Sequence, residues 1–325
     1  MKTHSASALR QKGFSLIELM VSLTIGLVIM LAVISAYLGA AGAGRTAEAI
    51  GRMNEDAQTA LTILSQQMRM AGVNPSQTDR GTGTTLNVRG NSMPLHNTLT
   101  NAFAIRGCDV TFSNIASSAT TLGLTCGHTA SSTGPDSISI AYEADRYNTV
   151  PTSGAFVPTD CMGSGITPTT ATYTPASTTT LATATIYEAE NRFYIGTSTV
   201  IVNPTLYCKG RATSVGQPLI ENIDNLQLRY GTSDPNSTPT KVLGYLSANE
   251  VDTETASGFL TGAAGSVTRW NAVKTVRICV IARSENPVME TNAMAQYRDC
   301  SGALITPTDK RLRRAYTTTV ILRNQ

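Results

Sequence analysis

Lys12-Gly13-Phe14-Ser15-Leu16-Ile17-Glu18-Leu19-Met20 is the stretch on which the reading of this chain turns. From Leu19 to Gly44 there are 26 residues without a charge, rich in Leu, Ile, Val, Met and Ala, and Glu18 alone interrupts the run after Lys12. At about 1.5 Å rise per residue, a helix of that length covers a bilayer core of roughly 30 Å. The segment therefore reads as a membrane-spanning helix. The positive-inside rule keeps Arg10 and Lys12 on the cytoplasmic side and brings Arg45 onward out opposite, which places the remainder in the periplasm.

A secretory signal peptide shares the basic start and apolar core, but its core is about 7 to 15 residues long. Here the run is longer, lacks a small-x-small cleavage site with a polar exit, and continues into a further helical pattern. An ordinary signal anchor does not explain Glu18, since a carboxylate near the centre of an inserted helix costs about 2.5 kcal/mol or more. Such a residue usually has a partner.

The string from Lys12 to Met20 resembles the signal of type IV prepilins and of type II secretion pseudopilins. The resemblance implies that a membrane aspartyl peptidase cuts after Gly13 and methylates the new amino terminus at Phe14. It implies also that Glu18 meets the terminal ammonium of a neighbouring subunit, so that two buried charges compensate during assembly. Many major pilins carry a proline in mid-helix; this sequence has Ser35 there, so no proline kink is expected. Gly26, Gly39, Gly42 and Gly44 loosen the helix, and Ser35 with Gly39, or Ala36 with Ala40 and Gly44, offer small faces for close helix contact.

Beyond the apolar run, Ile50, Met53, Ala57, Leu61, Leu64, Met68 and Ala71 advance by threes and fours. That spacing predicts a helix to about Ala71 with one apolar face toward a sheet, stopped by Gly72 and kept from resuming by Pro75. Strands are expected at Ser137–Tyr142, Thr183–Tyr187, Arg192–Ile195, Thr199–Val202 and Leu226–Tyr230. The two clearest are Val273–Arg283, with Val276, Ile278, Val280 and Ala282 on one face, and Tyr316–Arg323, with Tyr316, Thr318, Val320 and Leu322. The fold class is α+β and pilin-like: a long N-terminal helix, membrane-spanning in its first half, packed on a C-terminal antiparallel sheet head. The divisions are a leader at 1–13, a transmembrane and assembly helix at 14–44, a periplasmic amphipathic half at 45–72, and a β-rich head at 73–325.

Three further stretches resemble the type IV pilus minor pilin family PilW: Asn54 to Leu61 with Arg69-Met70-Ala71-Gly72, Asn225 to Gly231, and Val276 to Ser284 followed by Arg313 to Val320. The resemblance implies work in pilus assembly or priming, with roles in twitching motility and adhesion. The implied partners are prepilin peptidase, other minor pilins, the major pilin, the inner-membrane assembly platform and a tip adhesin. It places the chain in the inner membrane, single-pass with a periplasmic head, and then at the pilus tip on the cell surface. A type II secretion pseudopilin shares the N-terminal chemistry and is the nearest alternative, and an adhesin or DNA-uptake receptor is a reading from another class.

The head's chemistry is sparse. Only 14% of residues are charged, and the net charge of +3 comes from Lys2, Arg10 and Lys12, leaving 22 bases against 22 acids. A balanced mature chain gives no global case for nucleic acid. Lys310, Arg311, Arg313, Arg314 and Arg323 form the one basic concentration and read as a solvated hairpin. Cys108, Cys126, Cys161, Cys208, Cys279 and Cys300 all fall in the head, an even count without C-x-x-C, which suits three disulfides in an oxidising compartment. Six cysteines allow 15 pairings, of which the sequential one is the simplest. His96 and His128 read as solvent-facing loop residues, and Cys126 and His128, nearly adjacent, are not expected to share a site. No catalytic motif, cofactor signature or metal-ligand spacing is present in the sequence, so no enzyme is expected.

Overall fold

The computed structural model describes residues 13, 15–73, 77–78, 85–86, 95–96, 104–117, 123–129, 132–173, 182–211, 213, 215–233, 241–253 and 266–323. The chain divides into two compact units, Met1–Ala49 and Ile50–Gln325. Helix α1, Leu16–Met70, is 55 residues long. In the first unit, all described positions from 15 to 40 are exposed, as an apolar helix with no protein neighbour must be. This stretch is long and apolar enough to cross a membrane.

The strands follow in order: β1 Gln77–Thr78, β2 Thr85–Leu86, β3 Leu95–His96, β4 Ile105–Cys108, β5 Ser137–Glu143, β6 Thr169–Tyr173, β7 Ala182–Ile186 and β8 Glu188–Gly196. Next come β9 Thr205–Gly210, β10 Gln217–Glu221, β11 Ile223–Ser233 and β12 Val242–Leu246, then the short helices α2 Ala248–Thr253 and α3 Ser266–Asn271. The chain closes with β13 Val273–Arg283, β14 Tyr297–Arg298, β15 Leu304–Ile305 and β16 Arg313–Ile321. All described pairings are antiparallel. Two sheets dominate, β10-β9-β8-β5-β4 and β12-β11-β13-β16, beside a three-stranded β3-β6-β7 and two small ribbons.

One core joins the helix and both large sheets. Met53, Ala57, Ala60, Leu61, Leu64, Met68 and Ala71 are buried with Ile138, Ile140 and Phe193 of one sheet and Leu226, Leu228, Val276, Ile278, Val280 and Val320 of the other. Each large apolar side chain so buried contributes about 1.5–3 kcal/mol. The expected helical face is therefore present, with Ala60 added, whereas Ile50 is 37% exposed and does not join it. Gly72 adopts φ 71°, the left-handed turn that ends the helix, and donates its N–H to Ala141 O at 3.0 Å.

Strand β13 has the boundaries read from its alternation, and Val276, Ile278, Val280 and Ala282 are completely buried. Strand β16 begins three residues earlier than expected, because Arg313, Arg314 and Ala315 pair with Arg283, Ala282 and Ile281. Thr199–Val202 is not a strand. Ser198 Oγ accepts the N–H groups of Val200 and Ile201 at 3.3 and 2.9 Å, which curls the chain and leaves Val200 and Val202 exposed. Helix α2 was not evident from the apolar pattern; a reciprocal cap starts it, with Ser247 N–H donating to Glu250 Oε2 at 2.6 Å and Glu250 N–H to Ser247 Oγ at 3.2 Å.

Candidate processing and assembly site

The site begins at the N-terminus of α1. Ser15 has the place of an N-cap and Glu18 that of the third helical residue, and the Glu18 carboxylate accepts the Ser15 N–H at 3.0 Å. This is one arm of an S-x-x-E capping box, a signal present in the sequence and overlooked when Glu18 is read only as an assembly residue. The negative group also sits at the positive end of the helix dipole. Glu18 is thereby held three residues from Ser15, the residue after Phe14. Gly13 is exposed, while Phe14 lies outside the described residues, as do His4 and the side chain of His96.

Polar side chains farther along the apolar helix satisfy themselves locally. Ser22, Thr24 and Ser35 hydroxyls donate to the carbonyls of Leu19, Val21 and Ala32 at 3.0, 2.9 and 2.9 Å. Thr46 donates to Gly42 O at 3.1 Å. In lipid such back-bonding removes the cost of an unpaired hydroxyl, so Ser35 sits in the helix without breaking it.

Within the second unit, α1 is fixed to the sheets by polar ties as well as by its apolar face. Tyr316 of β16 donates its hydroxyl to Asn54 Oδ1, and Arg52 lies 3.5 Å from Glu285. Fully buried Asn191 donates to Gln67 Oε1 at 2.8 Å and to the Tyr142 hydroxyl at 3.2 Å, and accepts the Cys161 N–H at 3.0 Å. Asn191 thus joins the helix, β5 and the Cys161 loop at one buried point. Its position between Glu190 and Arg192 in β8 gives no hint of that role in the sequence.

Residues 192–324 match the family model described as Type IV Pilus-assembly protein W, and residues 9–34 match the Prokaryotic N-terminal methylation motif. The chain thus carries the PilW family match in its C-terminal part, behind an N-terminal methylation motif. No curated protein and no solved structure matches it. As a PilW-family chain with a prepilin processing motif, it is a type IV pilus-assembly protein, and that membership implies pilin partners and processing by prepilin peptidase. The apolar N-terminal helix with its methylation motif is consistent with an inner-membrane prepilin that enters a pilus.

In this PilW-family head the six cysteines pair in sequence order: Cys108–Cys126, Cys161–Cys208 and Cys279–Cys300, with Cα separations of 5.7, 6.4 and 5.9 Å. His128 is not a solvated loop residue. Its side chain is 7% exposed, Nδ1 accepts the Asp109 N–H at 3.3 Å, and Nε2 lies 3.4 Å from Asp252 Oδ2. Two carboxylates from distant parts of the chain draw the imidazole inward. The polar atoms of His128, Cys108 and Cys126 come within 4.8 Å of one another, so Cys126 and His128 do meet, against expectation. With the sulfurs joined, however, no thiolate remains to ligate a metal.

Of the basic concentration, Lys310, Arg314 and Arg323 are exposed, as a solvated hairpin requires, whereas Arg311 and Arg313 are drawn in. Arg313 is 9% exposed in its side chain; Asp309 binds it through both oxygens at 2.7 Å, and Asp224 meets Nε at 2.5 Å. Arg283 lies 3.3 Å from the same Asp224, and Arg311 donates to the Glu285 carbonyl. The paired guanidiniums hold the Asp309 carboxyl down to about 2. Asp224 and Asp309 thus neutralise Arg283, Arg311 and Arg313, which reduces the charge this cluster can present to a nucleic acid.

Proposed function

We propose that this PilW-family chain is a minor pilin: inserted as a bitopic precursor with its head in the periplasm, cut between Gly13 and Phe14, methylated at Phe14, and assembled through its N-terminal helix into a priming complex and pilus tip. The observation that carries the reading is Glu18, an acid at the head of an otherwise uncharged 26-residue run, within the matched methylation motif. In the monomer it is occupied by the Ser15 N–H. On docking, the methylated ammonium of a neighbouring subunit supplies a full positive charge where the amide supplied a partial one. The leader is 1–13, the assembly helix 14–44, the amphipathic half 45–72 and the head 73–325. Other minor pilins, the major pilin, the assembly platform and a tip adhesin are the partners this reading calls for.

Mass spectrometry of the mature amino terminus tests the class: N-methyl-Phe14 supports it, and an intact Met1 or cleavage beyond Ala40 overturns it. A type II secretion pseudopilin would share that terminus. A deletion strain separates the two, because loss of pili and twitching supports the pilus and a defect in protein secretion alone supports the pseudopilin. Involvement of Arg313 in ion pairs weighs against a DNA-uptake receptor built on that cluster.

A further inference from the structure

The four-stranded sheet ends at β16, and no described strand pairs with its outer edge. Leu322 N–H donates to Lys274 O at 2.9 Å and Ser284 N–H to Leu312 O at 2.8 Å, at the two ends of the β13–β16 register. In an antiparallel pair, hydrogen-bonded and non-hydrogen-bonded positions alternate. Even-numbered residues of β16 therefore bond to β13, while Ala315, Thr317, Thr319 and Ile321 turn their backbone N–H and C=O groups outward. Thr317, Thr319 and Ile321 are exposed.

Open edges invite pairing, and proteins blunt them with proline, bulges, short strands or charge. The other three edges of the two large sheets carry such devices. Strand β10 contains Pro218, where its pairing shifts register; the pairing of β12 with β11 shifts at Thr232 and Ser233; and β4 has four residues. Strand β16 instead pairs with β13 through nine positions without a shift. From Ala315 to Ile321 it has neither a proline nor a charge, and its tyrosine, threonines, valine and isoleucine favour strand pairing.

Helix α1 supplies a second, independent observation. Between its flank and this edge runs a groove of about 380 Å³, which Gln58, Thr62, Ser65 and Gln66 of the helix line together with Thr317 and Thr318 of the strand. Side chains of a strand laid along the edge would enter it on every second residue. Hydroxyls and amides there match hydroxyl and amide side chains.

We propose that the outer edge of β16 receives an extended segment of another polypeptide, which adds a fifth strand to the sheet. The backbone of that segment bonds to Ala315, Thr317, Thr319 and Ile321, and its alternate side chains, hydroxyl or amide in kind, fill the groove beside α1. A second copy of this chain fits poorly. Paired strands lie about 4.8 Å apart and packed helices about 8–10 Å. Since α1 already flanks the edge, a self-paired copy would bring its own α1 into the same space. This surface is separate from the docking assigned to Glu18.

Hydrogen exchange of the full chain in detergent micelles, read at single residues, tests the proposal with a blocked nine-residue peptide alternating asparagine with valine. Because the backbone supplies the bonds, the probe does not depend on the natural partner's sequence. In the chain alone, the amides of Thr317, Thr319 and Ile321 should exchange at least about 100-fold faster than those of Thr318 and Val320. The peptide should bind with a dissociation constant below about 1 mM and slow the three outward amides at least about 10-fold at saturation. Thr317→Pro removes one outward N–H and leaves the bonds to β13 intact, so it should weaken peptide binding at least about 10-fold with little change in melting temperature. Equal protection of odd and even amides in the chain alone, no saturation up to about 5 mM, or undiminished binding by Thr317→Pro overturns the proposal. Protection that rises with protein concentration in the absence of peptide gives the edge to a second copy and overturns it too. Should Thr317→Pro fail to fold, the same peptide N-methylated at every amide carries the decision: it should not bind, and binding equal to the parent refutes strand addition.

Discussion

Replacing Asp136 by asparagine should stabilise this protein at neutral pH and do nothing at pH 4. Asp136 is 4% exposed, and its Oδ2 accepts the Leu228 N–H at 2.6 Å. Burial raises its carboxyl from 3.8 to about 8; the Leu228 hydrogen bond and Arg229 oppose the rise, and Asp109 adds to it. The folded protein therefore keeps a proton that the unfolded chain gives up above pH 4. Stability linked to this group is greatest below about pH 4 and is lost as pH rises toward 8. One pH unit corresponds to about 1.4 kcal/mol, so the loss between pH 4 and pH 7 is about 4 kcal/mol. Asparagine keeps an acceptor for Leu228 and carries no charge at any pH. Urea unfolding of the full chain in micelles, followed by the fluorescence of buried Trp270, the single tryptophan, measures both proteins from pH 4 to pH 8. The variant's advantage should grow from near zero to about 4 kcal/mol at pH 7. An advantage that stays flat with pH, or a variant less stable at pH 7, would refute the reasoning.

Leu64→Ala empties a completely buried site where α1 meets both sheets and should cost about 2–5 kcal/mol, read as a lower urea midpoint with an unchanged slope. Gly107→Ala would place a methyl group 1.8 Å from the hydroxyl of fully buried Tyr230, so a marked fall in melting temperature is expected. Tyr230→Leu in the same chain should recover part of it, and no recovery would mean the clash lies elsewhere. Ser247→Ala removes the hydroxyl that caps α2 and should cost about 0.5–2 kcal/mol; Ser247→Asp, which retains an acceptor, should restore most of the melting temperature.

What could be read in advance follows the strength of periodic burial. Met53 to Ala71 and Val273 to Arg283 each put one continuous apolar face into the core, so spacing alone located them. Alternation marks β16 only from Tyr316, because Arg313 and Arg314 look like loop residues; partners at Asp224 and Asp309 let Arg313 sit inside the strand. Thr199–Val202 has β-branched composition, yet the Ser198 hydroxyl captures its backbone. His128 looked solvated because Asp252, which draws it in, lies far along the chain. The sequence marks the N-terminal string by motif, but the contact of Glu18 with Ser15 N–H emerges only with helix geometry.

The order of the disulfides bears on how the head matures. Each bridge joins cysteines that are neighbours along the chain, Cys108 with Cys126, Cys161 with Cys208 and Cys279 with Cys300. When cysteines become oxidisable in the order of synthesis, the first partner each odd-numbered cysteine in that series meets is its native one. A simple thiol oxidase then suffices, and no wrongly joined pair has to be undone before the final strand β16 arrives to complete its sheet.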